Sequence, residues 1–295
     1  MKIFVTGGTG FVGSALSDRL VKEGHEVSVL TRRMRKKDDI NFIEGDPTKA
    51  GRWQNNAAEH DVIINLAGAP IFKRWSKGYK QIIRDSRIHT TRNIVNALKK
   101  AEGEKQLINA SAAGYYGFHG DEILTEKDDC GNDFLARLAD EWERTALKAK
   151  DYGVRVVLCR FGTVLGKGGM LDKIIPAAKY NLISPLGSGM QWISWIHIRD
   201  LVNIFIFLLE NQDIEGAVNC TSPNPIRNRE FMETLAEVMN KRIILPRVPE
   251  FMLKLVMGEL AELIVNGQRT YPERLLNEGF RFEFPYLKDA LKDIF

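Results

Sequence analysis

Apolar positions along the first 220 residues fall into two periods. Short apolar runs recur at residues 2–6, 26–30, 41–44, 61–66, 106–111, 154–160 and 217–220. The run at 61–66 reads DVIINL, and its β-branched side chains suit a strand buried on both faces. Between these runs, apolar residues recur three and four apart, the helical spacing. Leu16, Leu20 and Val21 share one face of a helix predicted over residues 11–23, and Gly24 is placed to end it. Further helices are predicted over 76–100, 133–150 and 198–210. Strands at this rhythm, separated by helices, imply a parallel doubly wound sheet with right-handed crossovers.

The pattern changes after Arg160. Glycines and prolines crowd residues 162–189, Trp192, Trp195 and His197 follow, and the chain from about Ser222 onward is mainly helical with several prolines. The expected organisation is a dinucleotide-type sheet domain of residues 1–160 with 196–221, and a smaller cap lobe of residues 161–195 with 222–295. No internal repeat or low-complexity tract interrupts it.

Residues 6–13 read TGGTGFVG, with glycines at 7, 10 and 13. The motif follows a strand and opens a helix, the context that a dinucleotide fingerprint requires. Gly7 permits a tight turn, Gly10 lets the backbone approach a pyrophosphate, and Gly13 lets the helix pack on the strand. Thr9, Phe11 and Val12 complete the loop, and the helix N-terminus offers N–H groups to phosphate. The fold class that follows is α/β, a Rossmann-type doubly wound parallel sheet with a smaller, mainly helical C-terminal lobe. At the end of the second strand, an acidic residue would bind ribose hydroxyls, whereas Arg accommodates a 2′-phosphate. The chain has Thr31, Arg32 and Arg33 there and no carboxylate, which points to NADP(H).

Composition narrows the picture. The chain is 44% hydrophobic and 27% charged, ordinary for a folded protein. Its net charge of +4 is concentrated at Arg32, Arg33, Arg35, Lys36 and Lys37. That cluster is short and lacks interleaved aromatic residues, so no nucleic-acid partner is expected. Cys130, Cys159 and Cys220 fit neither a disulfide framework nor a metal cluster, and a reducing compartment is expected. The longest apolar run, 204–209, is too short to span a bilayer, and Met1 leads directly into strand pattern; a cytoplasmic protein with no membrane partner, monomeric or homodimeric, is expected.

These residues resemble the short-chain dehydrogenase/reductase superfamily, in its extended and atypical branch. The resemblance rests on residues 6–13, on Asp46 in GDPT, and on Asn65, Leu66, Ala67 and Gly68. Residues 111–117 (SAAGYYG), Trp142-Glu143, 160–169 (RFGTVLGKGG), 187–201 (GSGMQWISWIHIRDL) and Gly267-Gln268-Arg269 with Pro272 are similar to one subgroup, the poorly characterised "epimerase family proteins". The resemblance implies cofactor contacts at Asp46, Leu66, Ala67, Gly68 and Thr163. It also implies a Tyr-x-x-x-Lys acid–base pair, which is absent: with Glu143 as the Glu that follows that Lys, the two positions hold Leu135 and Ala139. Candidate substitutes are Tyr115, Tyr116 and Ser111, with Arg87 or Arg160 to lower a tyrosine pKa; both tyrosines could equally be packing residues. Arg87 replaces an expected Asn and should either contact the cofactor or pair with Asp85 or Glu143. His197 could be an acid–base group, with helix capping the stronger reading, and Trp192 and Trp195 pocket walls, with core packing the stronger. The expected function is an NADP(H)-dependent oxidoreductase or epimerase-like enzyme on an unknown small molecule held in the inter-lobe crevice. The alternative is a non-catalytic NADP(H) sensor or scaffold.

Overall fold

The computed structural model describes residues 1–295. Its strands are β1 (Lys2–Thr6), β2 (Glu26–Thr31), β3 (Ile40–Glu44), β4 (Val62–Asn65), β5 (Gln106–Ala112), β6 (Ile123–Leu124), β7 (Arg155–Phe161), β8 (Thr163–Leu165), β9 (Trp192–Ile193), β10 (Trp195–His197), β11 (Gly216–Cys220), β12 (Ile226–Arg227) and β13 (Arg269–Thr270). The helices are α1 (Phe11–Lys22), α2 (Trp53–Ala58), α3 (Lys77–Leu98), α4 (Phe134–Leu147), α5 (Leu171–Lys179), α6 (Ile198–Glu210), α7 (Asn228–Val238), α8 (Glu250–Met257), α9 (Leu260–Val265), α10 (Glu273–Asn277) and α11 (Leu287–Ile294).

Seven strands form one parallel sheet in the order β11-β7-β5-β4-β1-β2-β3, as the strand–helix rhythm predicts. Its two faces are both covered, which explains the continuous apolar runs. Ile3 and Val5 point to a core shared with α1 and α6, whereas Phe4 between them points to a core shared with α3 and α4. The strand order reverses between β1 and β4, so the crevice for a ligand opens above the carboxyl ends of these strands. Register brings a row of polar residues to that edge: Thr6 is level with Asn65, Asn65 with Asn109, Ser111 with Arg160, and Arg160 with Asn219.

Helix ends follow local chemistry. Ser76 caps α3 by accepting from the Tyr79 N–H at 3.1 Å, and Asp133 caps α4 by accepting from Leu135 and Ala136. The helix predicted to Lys150 instead tightens into a 3₁₀ turn over Lys148–Tyr152, closed by Gly153 in the left-handed region. Two features escaped the periodicity. Helix α2 buries only Trp53 and Ala57, too few to make an apolar stripe. The short strands β6, β8, β9, β10, β12 and β13 pair in twos and carry no alternation of their own.

The second lobe packs Leu165, Leu171 and Trp195 against Phe231, Leu235, Phe284, Leu287, Leu291 and Ile294. It is latched to α6. The Asp200 carboxylate accepts from the Glu283 and Phe284 N–H groups at 2.7 and 3.0 Å. His197 caps α6, its Nδ1 accepting from the Arg199 N–H at 3.2 Å, while its ring lies 4.1 Å from that of Phe284. Its Nε2 is 3.4 Å from the Asp293 carboxylate. No helix is long and apolar enough to cross a membrane.

The buried imidazole makes stability depend on pH. Burial pushes the His197 pKa down to about 4, below the ~6.5 of an unfolded histidine. Between those values the unfolded chain binds a proton that the folded chain refuses, so stability falls as pH drops from about 6.5 to about 4, by roughly 3 kcal/mol in full. Urea unfolding at stepped pH should show this slope, and His197→Gln should flatten it. An equal slope in the variant would assign the acid sensitivity elsewhere.

Candidate functional site

The glycine loop is shaped by its own backbone. Gly7 has φ +73°, and a Cβ there would lie 2.7 Å from the Leu66 carbonyl carbon and oxygen. A Cβ on Gly13 would lie 2.2 Å from the Gly7 oxygen, whereas one on Gly10 would meet only that oxygen, at 3.2 Å. Gly7 and Gly13 are therefore locked by packing, and Gly10 faces outward. Gly10 is the N-cap of α1; no side chain caps that end, and its first turn holds no acid. The result is an uncapped helix N-terminus with a backbone cradle, the arrangement that a pyrophosphate fills. The Phe11 ring, at the first position of α1, is covered by Gly166, Gly168 and Gly169, where any Cβ would come within 3.0 Å of it. Thr9 in the loop and Val12 in the first turn of α1 are half-buried.

Arg32 and Arg33 are exposed beyond the end of β2, and neither pairs with a carboxylate. Thr31 is not free to assist them: its hydroxyl donates to the Arg33 carbonyl at 2.9 Å and faces the Arg33 N–H at 3.3 Å. Its role is to hold the turn. Asp46 accepts from both the Thr48 N–H and hydroxyl; burial opposes ionisation, yet these bonds and the nearby Lys49 and Arg32 hold its pKa below the ordinary value.

At the end of β4, the Asn65 side chain is fixed in a buried ladder: it accepts from Thr6 and donates to Thr91 and Asn109, and Trp142 also donates to Thr91. Asn65 also accepts from the Ala67 N–H at 3.4 Å, and Leu66 and Ala67 pack against Gly7. Arg87 comes up from α3 directly under Gly68, whose added Cβ would sit 2.9 Å from the guanidinium carbon. Arg87 is buried and stacks on Trp142 at 5.2 Å, but donates only to the Ala69 and Ile83 carbonyls at 3.2 and 3.0 Å. The ion pair expected with Asp85 or Glu143 does not form, because Asp85 pairs with Arg84 and His89, and Glu143 with Arg160. Desolvation without a counter-ion pushes the Arg87 pKa down to about 10.

One turn beyond Ala139 on α4, a buried polar network gathers around Glu143. Glu143 takes both ends of the Arg160 guanidinium at 2.9 and 2.8 Å and accepts from the Ser111 hydroxyl at 2.6 Å. Arg160 also donates to the Tyr116 hydroxyl, which donates to Asn219 at 2.7 Å. Tyr116 is fully buried, and burial raises its pKa despite Arg160. Ser111 and Tyr116 are thus bonded within this network, and at Tyr116 burial pushes the pKa up further than the Arg160 charge draws it down. Tyr115 differs. It is half-buried at the crevice edge, with the Arg160 guanidinium 3.5 Å from its ring centre; burial raises its pKa too, and Arg160 opposes the shift. The signal for this network was present in the sequence at Arg160, a charge set in the apolar run VVLCRF, since a buried charge needs a partner; Glu143, flanked by Asp140, Glu141 and Arg144, carries no such mark.

Thr163 begins β8 and donates its N–H to the Ser194 carbonyl at 2.7 Å, joining the sheet edge to the second lobe. Trp195 is core, its indole N–H bound to the Asn224 carbonyl. Trp192 is half-buried between the guanidinium groups of Arg227 and Arg269, at 3.9 and 4.5 Å. A cleft of about 550 Å³ lies behind Tyr116, lined by His119, Asp128, Asp129, Cys130 and Asp133 among others; its carboxylates make it a poor seat for phosphate, and it does not touch the glycine loop.

Residues 3–220 match the model of the NAD dependent epimerase/dehydratase family, and residues 248–294 match a domain of unknown function, DUF1731. The chain is 41% identical over its whole length to the chloroplastic epimerase family protein SDR39U1 homolog of Arabidopsis thaliana, covering 86% of that protein. It is 39% identical to the epimerase family protein YfhF of Bacillus subtilis, covering all of this chain and 98% of the relative. Among solved structures, the human epimerase family protein SDR39U1 (isoform 2) with NADPH superimposes with a TM-score of 0.89 at 31% identity, covering 100% of this chain and 99% of that one. The chain belongs to the NAD dependent epimerase/dehydratase family.

Proposed function

We propose that this family member binds NADP(H) in preference to NAD(H), and works as a hydride-transferring oxidoreductase on a small carbonyl compound in the crevice above β1, β4 and β5. The observation that carries the cofactor choice is the end of β2, where two exposed arginines stand without a carboxylate. The human relative's structure with NADPH supports the same reading. The cradle fits a dinucleotide: its helix end is uncapped, and Arg87 lies under Gly68 with no counter-ion of its own. Gly7, Gly10 and Gly13 would receive the pyrophosphate, Arg32 and Arg33 the 2′-phosphate, and Asp46 the adenine end. Leu66, Ala67 and Gly68 would line the ribose side, and Arg87 would meet a cofactor oxygen.

The dinucleotide, when bound, supplies the hydride. Reduction of a carbonyl carbon leaves an alkoxide, which needs one proton. Tyr115 is the phenol at the crevice edge free to give it, since Tyr116 is bonded at both ends. The Tyr115 phenolate so formed would rest against the Arg160 guanidinium, whose charge favours it. A second reading is favoured by Leu135 and Ala139, which leave no Tyr-x-x-x-Lys pair: a non-catalytic NADP(H) sensor. Steady NADPH oxidation with a panel of aldehydes and ketones, lost in Tyr115→Phe while NADPH binding persists, supports the enzyme. Tight NADPH binding with no turnover supports the sensor.

Two titrations test the cofactor site. Arg32→Ala should weaken NADPH binding by about 1–3 kcal/mol, the size of a charge-assisted contact, and leave NADH binding nearly unchanged. Equal losses would show that Arg32 does not read the 2′-phosphate. Arg87→Met keeps the stacked volume and removes an unpaired buried charge, so the melting temperature should hold or rise while NADPH affinity falls. Unchanged affinity by calorimetry withdraws Arg87 from the cofactor site.

A further inference from the structure

The second lobe leaves apolar side chains uncovered on one face. Eight large ones are exposed within two short segments: Tyr180, Leu182, Ile244, Leu245, Phe251, Met252, Leu255 and Val256. The segments are neighbours. The Arg242 N–H donates to the Asn181 side chain at 3.0 Å, the Ser184 hydroxyl to the Pro246 carbonyl at 2.8 Å, and Leu186 bridges to Val248. Helix α8 follows directly. Its Leu253 turns into the lobe, Phe251 and Leu255 lie opposite it at 70% and 78% exposed, and Met252 and Val256 on the flank are exposed as well. A cluster of this kind on a water-facing surface marks an interaction site.

Charge selects the occupant. The two segments carry Lys179, Lys241, Arg242, Arg247 and Lys254 against one carboxylate, Glu250, which pairs with Lys254. Lys179, Lys241, Arg242 and Arg247 have no carboxylate partner in the structure. A second copy would bring like-charged rims together, and nothing there would neutralise them. An anionic bilayer surface answers both features at once: apolar side chains enter the acyl boundary while cations on flexible stems meet the headgroups. We propose that this face, α8 with the adjoining 180–182 and 241–247 segments, is a reversible docking surface for an anionic membrane. Surface attachment needs no spanning helix; it revises only the expectation that the chain has no membrane partner.

The test uses the full-length chain and extruded vesicles of phosphatidylcholine alone or mixed with phosphatidylglycerol. The chain should co-sediment with the mixed vesicles, not with the neutral ones, and high salt should release it. Phe251→Ser with Leu255→Ser, and separately Arg242→Glu with Arg247→Glu, should each weaken binding about tenfold or more. Melting temperatures should be unchanged, because all four side chains are exposed. No retention on mixed vesicles, or equal retention of both variants, overturns the proposal. Self-association in ultracentrifugation that Leu255→Ser weakens, without vesicle binding, would assign the face to a second copy.

Discussion

Replacing Glu143 with alanine is expected to remove about 3–5 kcal/mol of folding stability, the usual result of stranding one member of a buried ion pair. Glu143 and Arg160 are each 4% exposed. Without Glu143, the Arg160 guanidinium keeps only the Tyr116 oxygen as a partner, and the Ser111 hydroxyl loses its acceptor. The damage should spread along β5 and β7, which pair at Ser111 and Arg160. Urea unfolding reads the effect as a lowered midpoint at unchanged slope. The double variant Glu143→Leu, Arg160→Met should recover much of the loss, since an apolar pair of similar volume removes both buried charges. A loss below about 1 kcal/mol in the single variant would mean that water reaches the pair. Tyr115 should lose its neighbouring cation in the double variant, so turnover, where present, should stay impaired after stability returns.

The second large effect separates two glycines that look alike in sequence. Gly10→Val should lower NADPH and NADH affinity by about 100-fold or more, close to 3 kcal/mol, with the melting temperature nearly kept. Its Cβ meets only the Gly7 oxygen, and the remainder of the side chain enters the space for phosphate. Gly13→Ala should fail differently. A Cβ 2.2 Å from the Gly7 oxygen and 2.6 Å from the Gly8 Cα must push α1 off β1, costing about 1–3 kcal/mol of stability as well as binding. Calorimetry and thermal unfolding on both variants distinguish them. Retained affinity in Gly10→Val would move the cofactor away from the α1 N-terminus.

The strands and crossovers were legible because each buried parallel strand is written as a continuous apolar run, and because Gly7 and Gly13 answer to backbone collisions inside one local loop. The site was less so. Arg87 could be flagged as a charge needing a partner, but which partner depends on where Asp85 turns and on Glu143 being taken already by Arg160. That competition is decided between α3, α4 and β7, segments distant in sequence. Ser111 and Tyr116 looked available for chemistry because hydroxyls in a motif are read as free; the structure spends them on Glu143 and Asn219. Thr31 misled for the same reason, its hydroxyl being absorbed by the turn it begins. His197 was readable in its preferred role because a cap depends on neighbours two residues away, here the Arg199 N–H.

The latch between α6 and the C-terminal segment has a consequence for how the protein is made. Ribosomes release a chain from its N-terminus, so all seven sheet strands are available once residue 220 has emerged. The second lobe then holds Trp195 and Leu171 without Phe284, Leu287, Leu291 and Ile294 to cover them. Asp200 waits, its partners absent, for N–H groups that lie 83 and 84 residues further along the chain. A nascent chain therefore carries a finished sheet beside an open, sticky half-lobe until residues 283–294 have emerged. Quality control that surveys exposed apolar surface would find its target there, and a chain truncated before α11 would leave that target permanently on view.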